Sequence, residues 1–353
     1  MNKMIRKDCY VVYLILLYLL LFAFTFYSCS EKTAEIKVER SFYYWKSALK
    51  LTGFEMNRLD SLHVKTIYLK FFDVDWDAST HQAIPKAKLQ VPDKRLFLKY
   101  AVIPTVFVTN ACMRQNDSAQ TILLAGKIYG LIKDICETNH INTLDEIQVD
   151  CDWTASTRKQ YFSLLRSLKQ ISNKDISATI RLHQIKFLSK SGVPPADRGL
   201  LMCYNMGNLK NPATKNSIIE TSELKKYTGN LSSYPLRLDV AFPLFEWKVL
   251  FRENSFKGLI ENMPAAIFAH SFALKNNGRI EILKDTLLAG YELKKGDVLR
   301  TEESDITEVL AAATEINKRL KNTRLRVSFF HLDSVTLTKF TPNELESIYS
   351  IFR

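Results

Sequence analysis

No Cys-x-x-Cys pair occurs in these 353 residues. The four cysteines beyond the leader, Cys112, Cys136, Cys151 and Cys203, show no short paired spacing. Neither a zinc knot nor a redox dithiol is indicated, and buried thiols acting as small hydrophobes are the default. No His-x-x-x-His or similar spacing on a helical pattern supports a metal site. The chain carries a net charge of +12, yet its basic clusters are short and scattered, such as Lys225/Lys226 and Lys318/Arg319/Lys321. No run reads as a nucleic-acid-binding arm. A solvated basic surface is the plain reading, with affinity for anionic lipid or polysaccharide as the alternative. Internal repeats and low-complexity segments are also missing. Neither a metal nor a cofactor is called for, and a monomer is expected.

What is present begins with a leader. Lys3, Arg6 and Lys7 precede an apolar run from Val11 to Tyr27, followed by Ser28-Cys29-Ser30. Basic residues ahead of a short apolar stretch form the layout of an export signal. Small residues around a cysteine directly after the run resemble a bacterial lipoprotein processing site. That resemblance implies a signal peptide over 1–28, a lipid-bearing Cys29, and a protein exported to the cell envelope and held at a membrane. An uncleaved N-terminal anchor is the alternative. A linker over 29–40 then leads into the folded part.

From Ser41 onward, short apolar runs alternate with helical periodicity. Strands are predicted at Ser41–Trp45, Val64–Phe72, Ala101–Val108, Glu146–Trp153, Ile176–Leu182, Gly199–Tyr204, Leu236–Phe245 and Leu325–Phe330. Helices are predicted over Ala119–Thr138, with Ile122, Leu123, Ile128, Leu131, Ile132 and Ile135 giving the apolar spacing. Further helices fall over Ser156–Ile171, capped by Ser156 or Thr157, and over Asp305–Leu320. Thr341-Pro342-Asn343-Glu344 has the pattern of a capping box with proline at the first helical position. Eight buried strands with intervening helices fit an α/β fold, a (β/α)8 TIM barrel over 41–353. The stretch from about 246 to 304 is too long for a barrel loop and reads as an insertion after the seventh strand.

The segment Gln148-Val149-Asp150-Cys151-Asp152-Trp153 stands out. Alternation along a strand puts Gln148, Asp150 and Asp152 on one face, and two carboxylates so close repel one another. A substrate, a partner side chain or a proton would offset that. Barrel sites lie at the C-terminal strand ends. The polar and aromatic residues gathered there are Asp73, Asp75 and Trp76; Thr109 and Asn110; Asp150, Asp152 and Trp153; Arg181 and His183; Tyr204 and Asn205; Glu246 and Trp247; His331 and Asp333. Such a rim suits a carbohydrate, with aromatic faces for sugar rings and carboxylates for the bond. The plain alternative is a structural ion pair of Asp150 and Asp152 with Arg181, with the tryptophans in the core.

Gln148–Trp153 resembles the fourth-strand motif of chitinase-like (β/α)8 glycoside hydrolases, acidic residues at alternate positions ending in the catalytic acid. Met202-Cys203-Tyr204-Asn205 is similar to that family's sixth-strand motif, and Val240–Phe245 to its seventh-strand Pro-aromatic segment. The aromatic Phe42-Tyr43-Tyr44-Trp45 also resembles the first strand of a group of bacterial barrel lipoproteins. The glycoside hydrolase resemblance implies Asp152 as the acid protonating the glycosidic oxygen, Asp150 as the assisting carboxylate, and Tyr204 and Asn205 as the groups positioning a substrate acetamide. Arg181, His183, Trp153, Asp73, Asp75 and Trp247 would line the cleft. Asp152 would need a raised pKa, which the Asp150 charge would help supply. The chain departs from the family in three ways. Asp152 stands where Glu is usual, Gln148 replaces an acid, and the glycine-rich third-strand signature is missing around Val106–Asn110. Cleavage of another glycan bond, glycan binding without cleavage, and a structural envelope role therefore stay open.

Overall fold

The computed structural model describes residues 37–353 except 262, 264–266, 269–271, 277 and 321–323. The export signal, Cys29 and most of the linker lie outside the described residues. No helix among the described residues is long and apolar enough to cross a membrane.

Eight parallel strands close on themselves. They are β1 (Lys37–Tyr44), β2 (Thr66–Asp77), then, past a hairpin strand β3 (Gln82–Lys86), β4 (Ala101–Val108), β5 (Glu146–Asp150), β6 (Asp175–Arg181), β7 (Arg198–Met202) and β8 (Leu238–Pro243), and finally β16 (Arg324–Phe330), which pairs with both β8 and β1. The β1–β2 pairing completes the barrel. This is the predicted (β/α)8 architecture with extra strands outside it.

The strands are largely apolar because each is covered on both sides. On β5, Ile147 and Val149 are buried toward the helix Arg158–Ser172, whose Tyr161, Leu164, Leu165 and Leu168 form its buried face. Tyr161 reaches the strand itself, its hydroxyl donating to the Val149 carbonyl at 3.1 Å. Thr157 stands at the cap of this helix but does not cap it with its side chain. Its hydroxyl donates instead to Asn110 Oδ1 at 2.6 Å, tying the helix to the turn after β4. In the preceding helix, Ser118–Asn139, the periodicity is offset from the predicted one. Thr121, Leu124, Ala125 and Ile128 are buried, while Ile122 and Leu123 face outward. The capping box of Asp117 with Gln120 fixes where that helix starts and so which residues face the barrel. The Thr341–Glu344 box forms as predicted, with both reciprocal bonds and Pro342 in the first turn.

The lower barrel interior is ionic rather than apolar. Arg326 donates to the Tyr68 hydroxyl at 2.7 Å and to Glu146 at 3.1 Å. Asp239 accepts from Arg198 at 2.9 Å and from the Arg326 backbone N–H at 2.9 Å. Each cation thus has a carboxylate, which is what a buried charge requires.

Between β8 and the helix Ile306–Asn317 lies separate antiparallel material. Strands β9 (Glu246–Arg252), β10 (Ser255–Glu261), β11 (Ala273–Asn276), β12 (Arg279–Ile282) and β15 (Val298–Glu303) make one sheet. Strands β13 (Thr286–Leu288) and β14 (Tyr291–Leu293) form a hairpin. The sheet has its own core of Leu250, Ile260, Ile280, Ile282 and Leu299. It is fastened to the loop after β7, where Arg300 donates to the Asn211 carbonyl at 2.7 Å and to that of Leu209 at 3.0 Å.

Candidate carbohydrate site at the barrel mouth

Strand β5 ends at Asp150, three residues before the predicted end at Trp153. Asp152 therefore lies beyond the sheet, though it keeps the inward sense of Asp150. The two carboxylates have different surroundings. Asp150 is 6 % exposed and accepts a hydrogen bond from Thr179 Oγ1, on the neighbouring strand β6, at 2.6 Å. Its pKa is pushed up to about 6, chiefly by burial and then by the charge of Asp152, with Thr179 and Arg181 opposing. Asp152 has a side chain 46 % exposed, and it is ion-paired to Nε of Arg181, the last residue of β6. The inner carboxyl, Asp150, is thus a raised one. The Asp150–Asp152 repulsion is met by the guanidinium on Asp152 and, below about pH 6, by protonation of Asp150.

Arg181 is held by its own local structure. Its backbone N–H donates to Gln184 Oε1 at 2.8 Å, and Gln184 Nε2 donates to the Trp153 carbonyl at 3.2 Å. Gln184 is fully buried and ties the ends of β5 and β6 together beneath the ion pair. His183, beside it, is exposed.

Trp153 does not join the mouth. Its ring stacks on Tyr161 at 5.0 Å and its Nε1 donates to the Ser191 carbonyl at 3.0 Å, deep in the helix layer. It offers no face to a sugar, because its position is of outward parity, shared with Val149 and Cys151. Cys151 and Cys203 are buried on that same outer side, and burial pushes the Cys151 thiol well up.

Tyr204 and Asn205 follow β7. Tyr204 is buried, its hydroxyl pushed well up by burial and by the nearby Asp150 charge. Its ring stacks on Phe330 at 5.6 Å and meets Phe245 edge-on at 5.8 Å. Phe330 in turn packs against Trp45 at 5.6 Å, and Phe245 against Trp247 at 5.2 Å. These rings form a continuous aromatic wall. It bounds a cavity of ≈ 390 Å³, lined also by Asn205, Glu246, Glu261 and His331. Two ion pairs frame its rim, Lys46 with Asp333 and Lys339 with Glu246. Trp247 is fixed by donating to Glu302 Oε2 at 2.6 Å. Of the sequence-derived strand-end residues, Asn205, Glu246, Trp247, His331 and Asp333 line this cavity, whereas Asp150, Asp152 and Arg181 do not. Asp73 and Asp75 lie on the β2 side. Asp73 is paired with Lys70 at 3.2 Å, and its charge reaches Asp150. Asp75 is bound by Lys86 at 2.7 Å and accepts from Thr109 at 2.9 Å.

Four contributors escaped the sequence reading of the site: Tyr43, Lys70, Trp45 and Thr179. Tyr43 donates to Gln148 Oε1 at 2.5 Å, and Lys70 lies 5.6 Å from the Trp45 ring. Thr179 had a signal, since it shares parity with Arg181 on a predicted strand. Lys70 had none, because the irregular pairing between Lys70 and Phe72 breaks the alternation of β2.

The fold is a (β/α)8 barrel whose mouth is walled by aromatic side chains. No protein-family model matches the chain, and no curated protein matches it by sequence. Solved structures do. The spore cortex-lytic enzyme SleL of Bacillus cereus is similar with a TM-score of 0.54 at 12% identity, over 90% of this chain and 75% of that one. SleL of Bacillus megaterium gives 0.53 at 12%, over 91% and 76%. A chitinase from Chromobacterium violaceum gives 0.48 at 11%, over 89% and 97%. At such identities, the likeness to the two spore enzymes establishes the shared fold.

Proposed function

We propose that this protein is a glycoside-hydrolase-like lipoprotein of the cell envelope that binds a glycan at its barrel mouth. The observation that carries this reading is the aromatic wall from Trp45 through Phe330 and Phe245 to Trp247, which leads to Tyr204 and, beyond it, Asp150. Aromatic faces beside a few fixed polar groups suit sugar rings, which are apolar on their faces and polar at their edges. Binding without cleavage is favoured by the Arg181 ion pair, which engages the very carboxylate that would have to deliver a proton to the leaving oxygen. One observation favours cleavage: Asp150 holds a proton near pH 6 at the same mouth.

The test is a panel of glycans, chitin and peptidoglycan fragments included, assayed for binding by calorimetry and for turnover by product analysis. Saturable binding without turnover is expected, weakened at least tenfold, about 1.4 kcal/mol, in Trp247→Ala. No binding to any glycan sinks the reading. Turnover that vanishes in Asp152→Asn, with folding kept, replaces it by the hydrolase reading.

Lipidation at Cys29 belongs to the same proposal, supported by the basic flank, apolar run and Ser-Cys-Ser order of the leader. Mass spectrometry of the mature N-terminus is expected to show a diacylated or triacylated Cys29. An intact Met1 would leave the uncleaved anchor in its place.

A further inference from the structure

The end of the barrel opposite the mouth carries its charge unevenly. Lys37 is the first residue of β1 and Arg324 the first of β16, while Lys65 directly precedes β2 and Arg237 directly precedes β8. Strands β8, β16, β1 and β2 are consecutive around the barrel. The four cations therefore line one continuous arc, with Lys37 and Arg324 direct register partners. All four are exposed. Lys318, exposed at the end of the helix that leads back toward β16, extends the arc.

Among the described residues, none of these five is ion-paired to a carboxylate; Arg237 donates to the Arg324 carbonyl at 2.8 Å. On the arc's own strands, Glu39 bonds to Arg326 at 3.3 Å and the buried Asp239 accepts from Arg198 at 2.9 Å. Asp60, whose charge reaches Lys65, is bound by Lys99 at 2.5 Å and by the Tyr100 hydroxyl at 2.6 Å, and Asp145, Asp175 and Asp197 stand at the entrances of β5, β6 and β7. There they are matched by Lys174 and Lys169. Four like charges side by side, none in an ion pair, are unfavourable alone and favourable against an anionic surface.

The chain's route gives that surface an identity. Cys29 precedes Lys37 by eight residues, a reach of at most about 29 Å when fully extended. β1 then runs eight residues from the basic arc toward the mouth, about 26 Å. The tether thus joins the barrel at its basic end and is about as long as the barrel, so the charge of the arc selects which end meets the headgroups.

We propose that the arc of Lys37, Lys65, Arg237 and Arg324 seats the barrel on anionic lipid headgroups, with its mouth directed away from the membrane. The proposal rests on the reading that the N-terminus is held in a membrane, whether by lipid or by an uncleaved leader. Each cation near such a surface contributes about fivefold in association, and salt screens the effect.

The test uses the full chain reconstituted through its own N-terminus into phosphatidylcholine vesicles, with or without about one-third phosphatidylglycerol. Lysine acetylation is then read residue by residue by mass spectrometry. Lys37 and Lys65 are expected to be protected about fivefold or more on the anionic vesicles, and the protection to disappear at about 0.5 M salt. Lys210 and Lys215, in the loop beyond the mouth end of β7, are expected to react equally on both. Arg237→Gln with Arg324→Gln, both at exposed positions, should reduce the protection of Lys37. A chain that floats with the vesicles while Lys37 and Lys65 react equally on both overturns the proposal and leaves the anchor standing. Protection of Lys210 and Lys215 instead overturns the orientation. A chain that does not float overturns the anchor, and the proposal with it.

Discussion

Asp239→Ala is expected to destabilise the barrel by about 3–5 kcal/mol. The Asp239 carboxylate is wholly buried among the strand entrances and does two things there. One oxygen accepts from Arg198, and the other accepts the backbone N–H of Arg326. Alanine leaves two guanidinium groups, Arg198 and Arg326, sharing the single buried carboxylate of Glu146, and leaves a buried N–H without its acceptor. An unpaired buried charge is far more costly than the lost attraction, because the desolvation already incurred is no longer offset. Asp239→Asn keeps an acceptor and should cost less. Equilibrium denaturation at neutral pH, followed by circular dichroism, measures both. A change below about 1 kcal/mol for the alanine variant would mean that water reaches the cluster and shields it. The pair Asp239→Ala with Arg198→Met should cost clearly less than the two changes summed, since each removes the other's unpaired partner.

Asp150→Asn is expected to make the protein more stable at neutral pH, by up to about 3 kcal/mol. In the folded chain the Asp150 pKa stands at about 6 against an ordinary 3.8. Between those values the folded protein keeps a proton that the unfolded chain has released. Stability therefore falls as pH rises through this window, and above about 6 the whole penalty of a buried carboxylate is present. Asparagine carries no charge at any pH and still accepts from Thr179. Wild type and variant should thus be nearly equal at about pH 4 and diverge toward about pH 7.5. Parallel curves over that range would refute the raised pKa of the buried Asp150. A residue kept at a stability cost is the pattern of a binding or catalytic group rather than a structural one. The same substitution is therefore informative in the glycan assays.

The positions of the barrel strands were readable in the sequence because each is a short apolar run between helical periods, and burial on both faces leaves little else. The location of the mouth was readable too. Parity sent Asp150 inward with Gln148, and it sent Cys151 outward with Val149. Parity also contained the fate of Trp153, whose odd position belongs with Cys151 in the helix layer. The aromatic character of the segment obscured that. The offset of Ile122 and Leu123 in the Ser118–Asn139 helix had a different origin. Hydrophobicity alone does not fix helix phase when apolar residues occupy more than one face, whereas the Asp117–Gln120 box does.

The sequence by itself determined a closed parallel barrel and the strand end where two carboxylates meet, since both follow from local periodicity. That Asp150 is pushed up while Asp152 is ion-paired came only from the tertiary structure. That depends on how far each is removed from water and on what crosses from neighbouring strands, Thr179 to the inner carboxylate and Arg181 to the outer. Likewise, the basic residues scattered along the sequence become an arc only once β8, β16, β1 and β2 stand side by side. Desolvation and charge pairing act through space, and residues 29 positions apart, Asp152 and Arg181, become neighbours only when adjacent strands close the barrel.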